Sequence, residues 1–539
     1  MTPSPTSGPT TPNPEHQRLT SPAELRRRWR AGEEIALLDV REEGPYSLAH
    51  PFFAVSLPLS QIELRIFDLV PRRSAPVVVY DDGEGYAPRA LQRIAALGYN
   101  DVSILDGGLS AYARVGEVFR DVNVPSKAFG ELVEAIRHTP SLSAGEAKAL
   151  IEREQNLVVL DARRFEEYRT MSIPRGISVP GGELAFRARE IAPSADTTII
   201  VNCAGRTRSI IGTQSLINAG LPNKVYALRN GTIGWTLAGH QVERGRTERF
   251  LERPQASHAA ALRDAKAWAE RTGVVELDRA SYERLRSEAD RHTLYCLDVR
   301  TPEEYAVGHP AGFASAPGGQ LVQATDEWVG VRGARLVLFD DDGVRARMTA
   351  SWLKQMGWDA AIVGPEVVAL SEKDIPAPRR PALPDAGAAA IGVNELASNP
   401  AAWTVVDLSR SPTYAAGHIP GAHFVLASRF SEDLAKLPGD GPIVLTSDDG
   451  AEAHFAFADA RAATPRTVRV LSGGTRAWTA SGRPLERDRS SFISTPDDVY
   501  KRPYEGTDNA AEAMQAYIDW ELQLVAQLAN DSVSNFHVV

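Results

Sequence analysis

Four times along the chain an apolar run breaks into an Asp-x-Arg or Asp-x-Ser-Arg step: LLDVR at Asp39, VLDAR at Asp161, CLDVR at Asp298 and VVDLSR at Asp407. Short continuous apolar runs bounded by polar turns predict strands buried on both faces. A tyrosine follows each step, and four positions beyond it stands a turn residue: Tyr46 and His50, Tyr168 and Ser172, Tyr305 and His309, Tyr414 and His418. A second apolar run then ends in VVVYDD, IIVNCA, LVLFDD or IVLTSD, and a third leads into a glycine turn near Gly107, Gly231, Gly364 or Gly473. Between the second and third runs, stretches such as APRALQRIAALGY and RMTASWLKQMGW carry apolar residues at helical spacing. They close on Gly98 and Gly357, each ahead of an aromatic residue, which is a C-cap pattern.

The spacing makes these homologous units. From the leading aspartate to the end of the second run is 42 residues in the first three units and 40 in the fourth. Strands alternating with helices at this interval predict an α/β fold of four tandem domains, each a mostly parallel sheet flanked by helices. The units are expected over 18–125, 130–250, 272–375 and 388–488. The linker with AALRDAKAWAER reads as a helix, and IPAPRRPALPDAGAAA reads as extended chain. Residues 1–17, rich in Pro and Thr, read as a disordered lead. Residues 489–539 form an extension that begins as a loop and ends in one helix with Met514, Tyr517, Ile518, Leu522 and Val525 on one side. That helix is expected to pack across an interface or to cover a site.

Composition narrows the class of function. The 539 residues carry a formal net charge of −10, which argues against a nucleic-acid partner or an acidic membrane surface. No apolar run approaches the length of a membrane span, and the N-terminal stretch lacks the basic and apolar regions of a signal peptide. Two cysteines, Cys203 and Cys296, form neither a disulfide framework nor a metal cluster, so a reducing cytoplasm is expected.

Chemistry concentrates at one turn. In IIVNCAGRTRSI, Cys203 ends a strand and is followed by Ala204, Gly205, Arg206, Thr207, Arg208 and Ser209, with a helix opening at Ser209. A thiol there faces loop N–H groups and the positive end of a helix, which lower a cysteine pKa from about 8.5. Arg206 and Arg208 are expected to bind an anionic substrate, and Ser209 to cap the helix. The matching positions in the other units are Asp81, Asp340 and Ser447. Asp161 and Arg163 are expected to pair structurally, His50, His309 and His418 to bond backbone, Cys296 to be buried and inert, and Trp235 and Trp478 to pack in the core.

Taken together, the Asp-x-Arg step, the Glu-x-x-Tyr step, the YAAGHIPGAH stretch, the cysteine loop and the Leu-x-Gly-Gly-x-x-x-Trp stretch resemble the rhodanese (sulfurtransferase) family, over about residues 18 to 488. The second unit departs from that pattern at Ser172, in MSIPRG and in RNGTIGW. The resemblance implies sulfane-sulfur transfer from thiosulfate or a related persulfide donor through a Cys203 persulfide, without metal or organic cofactor. It implies cyanide, a thiol or a protein cysteine as acceptor. A related cysteine-loop phosphatase or arsenate reductase is the alternative enzyme, but it needs a longer loop with arginine six positions after the cysteine, where Ser209 stands. A non-catalytic scaffold is the alternative suggested by three units without cysteine.

Overall fold

The computed structural model describes residues 18–250, 253, 255–506 and 510–539. The expected disordered lead over 1–17 lies outside these residues.

The described residues contain four five-stranded sheets, and within each every pairing is parallel. In the second, the order is Gly176–Ser178, Leu157–Asp161, Thr198–Asn202, Val225–Leu228 and Ser141–Leu142. Its central strands, LVVLD and TIIVN, are apolar because helices cover both faces.

The recurring motif is a set of recurring bonds. The guanidiniums of Arg41, Arg163 and Arg300 pair with Asp39, Asp161 and Asp298 at 2.6, 2.7 and 2.6 Å. Each also donates to a carbonyl eight residues on, at Ala49, Met171 or Gly308. The hydroxyls of Tyr46, Tyr168, Tyr305 and Tyr414 each donate to a carbonyl eight residues on. These polar groups are buried, and each finds its partner within its own unit. His50, His309 and His418 stack on their tyrosines and bond backbone carbonyls. Trp235 and Trp478 are buried as expected.

Units one, two and three do not fold as separate beads. One apolar core runs from Leu38, Ile66 and Val79 of unit one to Leu297, Leu338 and Leu353 of unit three. The linker helix His258–Arg271 joins the core of unit two, where it meets Val344 and Met348 of unit three. Unit four keeps cores of its own.

Three features differ from the sequence expectation. The seam placed at 125–130 lies inside a helix, Val124–Arg137, that packs along the helix after Cys203. The C-terminal helix is two, Ala511–Glu521 and Leu524–Asp531, and Leu522 at the break is exposed. The break turns Leu524 and Leu528 onto the same unit-one core that Met514, Tyr517 and Ile518 reach. Cys296, expected to be buried, is half-buried on its strand, where Leu294 also remains partly open. Its thiol is pushed up to about 11 by burial, so it is inert at neutral pH.

Candidate active site

Cys203 sits at the carboxyl end of the strand Thr198–Asn202, four residues before the helix Thr207–Asn218. The helix opens two residues earlier than the sequence suggested, which moves Ser209 from the cap into the first turn. Ser209 is therefore not the cap. Its N–H and hydroxyl both face the Cys203 sulfur, and the hydroxyl also lies 2.8 Å from the Arg206 carbonyl. Asp161, beside the loop, accepts from Arg163 and from the Asn202 amide at 2.8 Å, which fixes the strand end on which Cys203 stands.

The same cradle exists in all four units. In each, the side chain at the strand end accepts the N–H six residues on, in the first turn of the following helix. Asp81 accepts from Ala87 at 2.9 Å, Asp340 from Ala346 at 2.8 Å, Ser447 from Ala453 at 3.4 Å, and Cys203 from Ser209. Units one and three thus hold a carboxylate oxygen where unit two holds sulfur. The position offers a helix-turn N–H to whatever acceptor stands at the strand end, although in unit three burial and the neighbouring Asp342 push the Asp340 carboxyl well up towards its neutral form.

The loop is braced from behind by Gly231. Thr232 donates its N–H and hydroxyl to the Cys203 carbonyl at 2.8 and 3.0 Å, and Ile233 donates to the Ala204 carbonyl at 2.9 Å. Gly231 has φ +52, and a Cβ there would lie 2.4 Å from the Cys203 carbonyl oxygen and 2.7 Å from that of Gly205. Gly231→Ala is expected to cost about 1–2 kcal/mol from the left-handed backbone alone. It should also push the loop off Ser209. A changed rate of Cys203 alkylation in protein that remains folded by circular dichroism is the check, and an unchanged rate would refute the bracing role.

Both loop arginines, expected to bind an anionic substrate, are paired with carboxylates of the protein. Arg206 is buried against Glu131, with bonds of 2.7 and 2.8 Å, and also meets Glu134 and the Asn230 side chain. Arg208 forms a two-bond pair with Glu167 at 2.8 and 2.9 Å. Burial pushes the Glu167 carboxyl up, but Arg208 and Arg163 outweigh it and hold it at about 2. The Arg208–Glu167 pair recurs in unit three as Arg345–Glu304, beside Asp340 rather than a cysteine. Its first task is therefore structural, although the Arg208 charge still favours a thiolate at Cys203.

The mouth is closed by the C-terminal extension. Cys203 is 1% exposed and Ala204 2%. The outward side of Gly205 meets Tyr517 and Glu521, with a Cβ position 3.3 Å from the tyrosine ring and 3.2 Å from Glu521 Oε2. Thr207 donates its hydroxyl to Glu521 Oε1 at 3.4 Å, and Tyr517 donates to the same oxygen at 3.1 Å. Of the two roles expected for the final helix, it fills both: it packs on unit one and covers the loop. Burial pushes the Cys203 thiol up, against the pull of Arg208 and Ser209, and Glu521 pushes it further. The sequence expectation of a lowered pKa omitted this cover. Excluding water penalises the thiolate more than the loop compensates.

The residues that sequence reasoning missed are Glu131, Glu134, Glu167, Gly231 and Glu521. Glu167 had a signal, since Glu304 stands at the same distance before Arg345. Glu521 had none, because no other unit carries a counterpart.

Comparison with known proteins agrees with the architecture. The family model for the rhodanese-like domain matches residues 21–114, 143–238, 281–366 and 393–481. A solved thiosulfate sulfurtransferase from Pseudomonas aeruginosa is 53% identical, with TM-score 0.94, covering 97% of this chain and 100% of that one. A thiosulfate sulfurtransferase of Azotobacter vinelandii is 25% identical over 231 residues, 35% of this chain and 84% of that protein. An HTH-type transcriptional regulator of Mycobacterium tuberculosis is 32% identical over 108 residues, 20% of this chain and 47% of that protein. With four matched segments covering more than half its length, the chain belongs to the rhodanese-like domain family.

Proposed function

We propose that this chain is a sulfurtransferase that carries sulfane sulfur on Cys203, with thiosulfate or a persulfide as donor and cyanide, a thiol or a protein cysteine as acceptor. The observation that carries the reading is the N–H cradle at the strand end. Units one and three hold a carboxylate in it, and unit two holds the only thiol among the four.

In the first step the Cys203 thiolate attacks the outer sulfur of thiosulfate. A new S–S bond forms, the donor S–S bond breaks, and sulfite leaves with the electron pair. The persulfide's terminal sulfur takes over the charge, with the Ser209 donors and Arg208 close by. In the second step the acceptor attacks that sulfur, and Cys203 leaves as thiolate. No step needs a metal or an organic cofactor. Because Cys203 is buried, entry of the donor requires the contacts of Tyr517 and Glu521 over Gly205 and Thr207 to loosen. Among the described residues no helix is long and apolar enough to cross a membrane, and the reading places the reaction in the cytoplasm.

Incubation with thiosulfate, followed by intact mass measurement, is expected to add the mass of one sulfur atom, which cyanide then removes as thiocyanate. No added sulfur from thiosulfate or from glutathione persulfide would end the proposal. Hydrolysis of an aryl phosphate at a comparable rate would favour phosphate chemistry instead.

A further inference from the structure

We propose that Glu521 is a specificity-determining residue: its carboxylate, standing in the mouth of the Cys203 loop, discriminates against sulfur donors that carry two negative charges in favour of those that carry one. This rests on the sulfurtransferase reading and adds a residue from outside all four repeats.

The placement is unusual for a carboxyl group. Glu521 is 1% exposed, and only one of its oxygens is bonded. The other, Oε2, is buried without a hydrogen-bond partner and is the atom that faces Gly205. A buried orphan acceptor costs stability, about 1–3 kcal/mol.

The surrounding cations do not neutralise it. From the helix Val124–Arg137, Lys127 faces Glu521 but is paired with Asp121 at 2.5 Å. Glu131, on the same helix, adds repulsion. From the loop, Arg206 faces it but is paired with Glu131 and Glu134. On its own helix Tyr517 donates one bond, and Cys203 is the ionisable group on the far side. An incoming anion at Cys203 therefore meets the pull of Arg208 and, whenever Glu521 is ionised, the opposing repulsion of its carboxylate. Burial, with Glu131 adding to it, pushes the Glu521 carboxyl up to about 7 against Lys127 and Arg206. The charge is thus largely absent below neutral pH and present above it.

The sign for the docked tail follows from the same shift. A carboxyl whose folded pKa is raised contributes stability that is full below its unfolded value of about 4.3 and is lost as pH rises through about 7.

The test compares thiosulfate, a dianion, with benzenethiosulfonate, a monoanion, using cyanide as acceptor in the full-length protein. Each delivers its outer sulfur to Cys203, releasing sulfite or benzenesulfinate with the electron pair. Both donors keep their charge between about pH 6 and pH 8, and ionisation of Cys203 is common to both, so it cancels in the ratio of their kcat/KM values. In the wild type that ratio is expected to fall about tenfold in favour of the monoanion over this range, the size expected for one extra charge several ångströms from a partly screened carboxylate. In Glu521→Gln, whose amide oxygen can keep the Thr207 and Tyr517 bonds, the ratio should be flat and should favour thiosulfate more than the wild type does at the alkaline end.

The wild-type profile stands by itself if the variant fails to fold. Turnover of both donors with a ratio independent of pH would overturn the role of Glu521 and leave the sulfurtransferase reading intact. Equal changes for both donors in Glu521→Gln would also overturn it, since a merely structural role acts on both alike. No turnover of either donor would overturn the sulfurtransferase reading, and this inference with it.

Discussion

Replacing Cys203 with serine is expected to abolish sulfur uptake from thiosulfate and to lower transfer to cyanide by at least about 10⁴-fold, the scale on which loss of a nucleophile acts. The protein should fold normally, because unit four already contains the substituted arrangement. Ser447 occupies the same strand end and accepts the Ala453 N–H at 3.4 Å. Cys203→Asp should fold as well, by the precedent of Asp81 and Asp340, whose carboxylates accept at 2.9 and 2.8 Å. The two variants separate chemistry from architecture: both keep an acceptor for Ser209, and neither can hold a sulfane sulfur. Intact mass and thiocyanate formation are the readouts. Transfer that survives in Cys203→Ser would move the nucleophile elsewhere.

The largest expected loss of stability comes from Arg345→Ala. Arg345 is fully buried and binds five carboxylate oxygens: Asp342 at 2.6 Å, Glu183 at 2.9 Å, Glu304 at 2.5 and 3.0 Å, and Asp341 at 3.5 Å. Glu183 belongs to unit two, so this guanidinium joins two units. Truncation leaves buried carboxylates without their cation, which costs about 3–5 kcal/mol. The first transition in a calorimetric scan should drop accordingly, and a fall worth less than about 1 kcal/mol would contradict the assignment. Acid should narrow the gap between variant and wild type. Against burial, Arg345 holds the Glu304 carboxyl at about 2, and a depressed pKa contributes stability that is present above the unfolded value of about 4.3 and lost as pH falls through about 2.

The contrast with the sequence reading follows from distance along the chain. The Asp-x-Arg and tyrosine motifs were legible because their partners lie two and eight residues away, and the cysteine loop because it is one strand end repeated four times. The helix Val124–Arg137 was hidden by Pro125 and Gly130, two residues that usually mark a break. Pro125 falls in the first turn, where no N–H is needed. Gly130 is required by a close approach, since a Cβ there would lie 2.9 Å from the Thr207 methyl. The arginines of the loop were read as free because the carboxylates that hold them come from other elements: Glu131 and Glu134 from the seam helix, Glu167 from the helix after Arg163. The raised thiol pKa could not be read at all, as it depends on a cover supplied by the last thirty residues or so.

That cover has a consequence for how the molecule comes into being. Arg26, in the first helix of unit one, pairs with Asp531 across 505 residues of sequence, and Leu524 and Leu528 complete the core that Leu25 and Trp29 begin. During synthesis the first unit therefore leaves the ribosome with an unfinished apolar face, and stays so until the final helix emerges. At about 5–20 residues per second this leaves tens of seconds in which Cys203 lies open to oxidants and to early partners. The Cys203 loop is made before its cover, so a truncated or stalled chain would expose a thiol that the folded protein keeps buried.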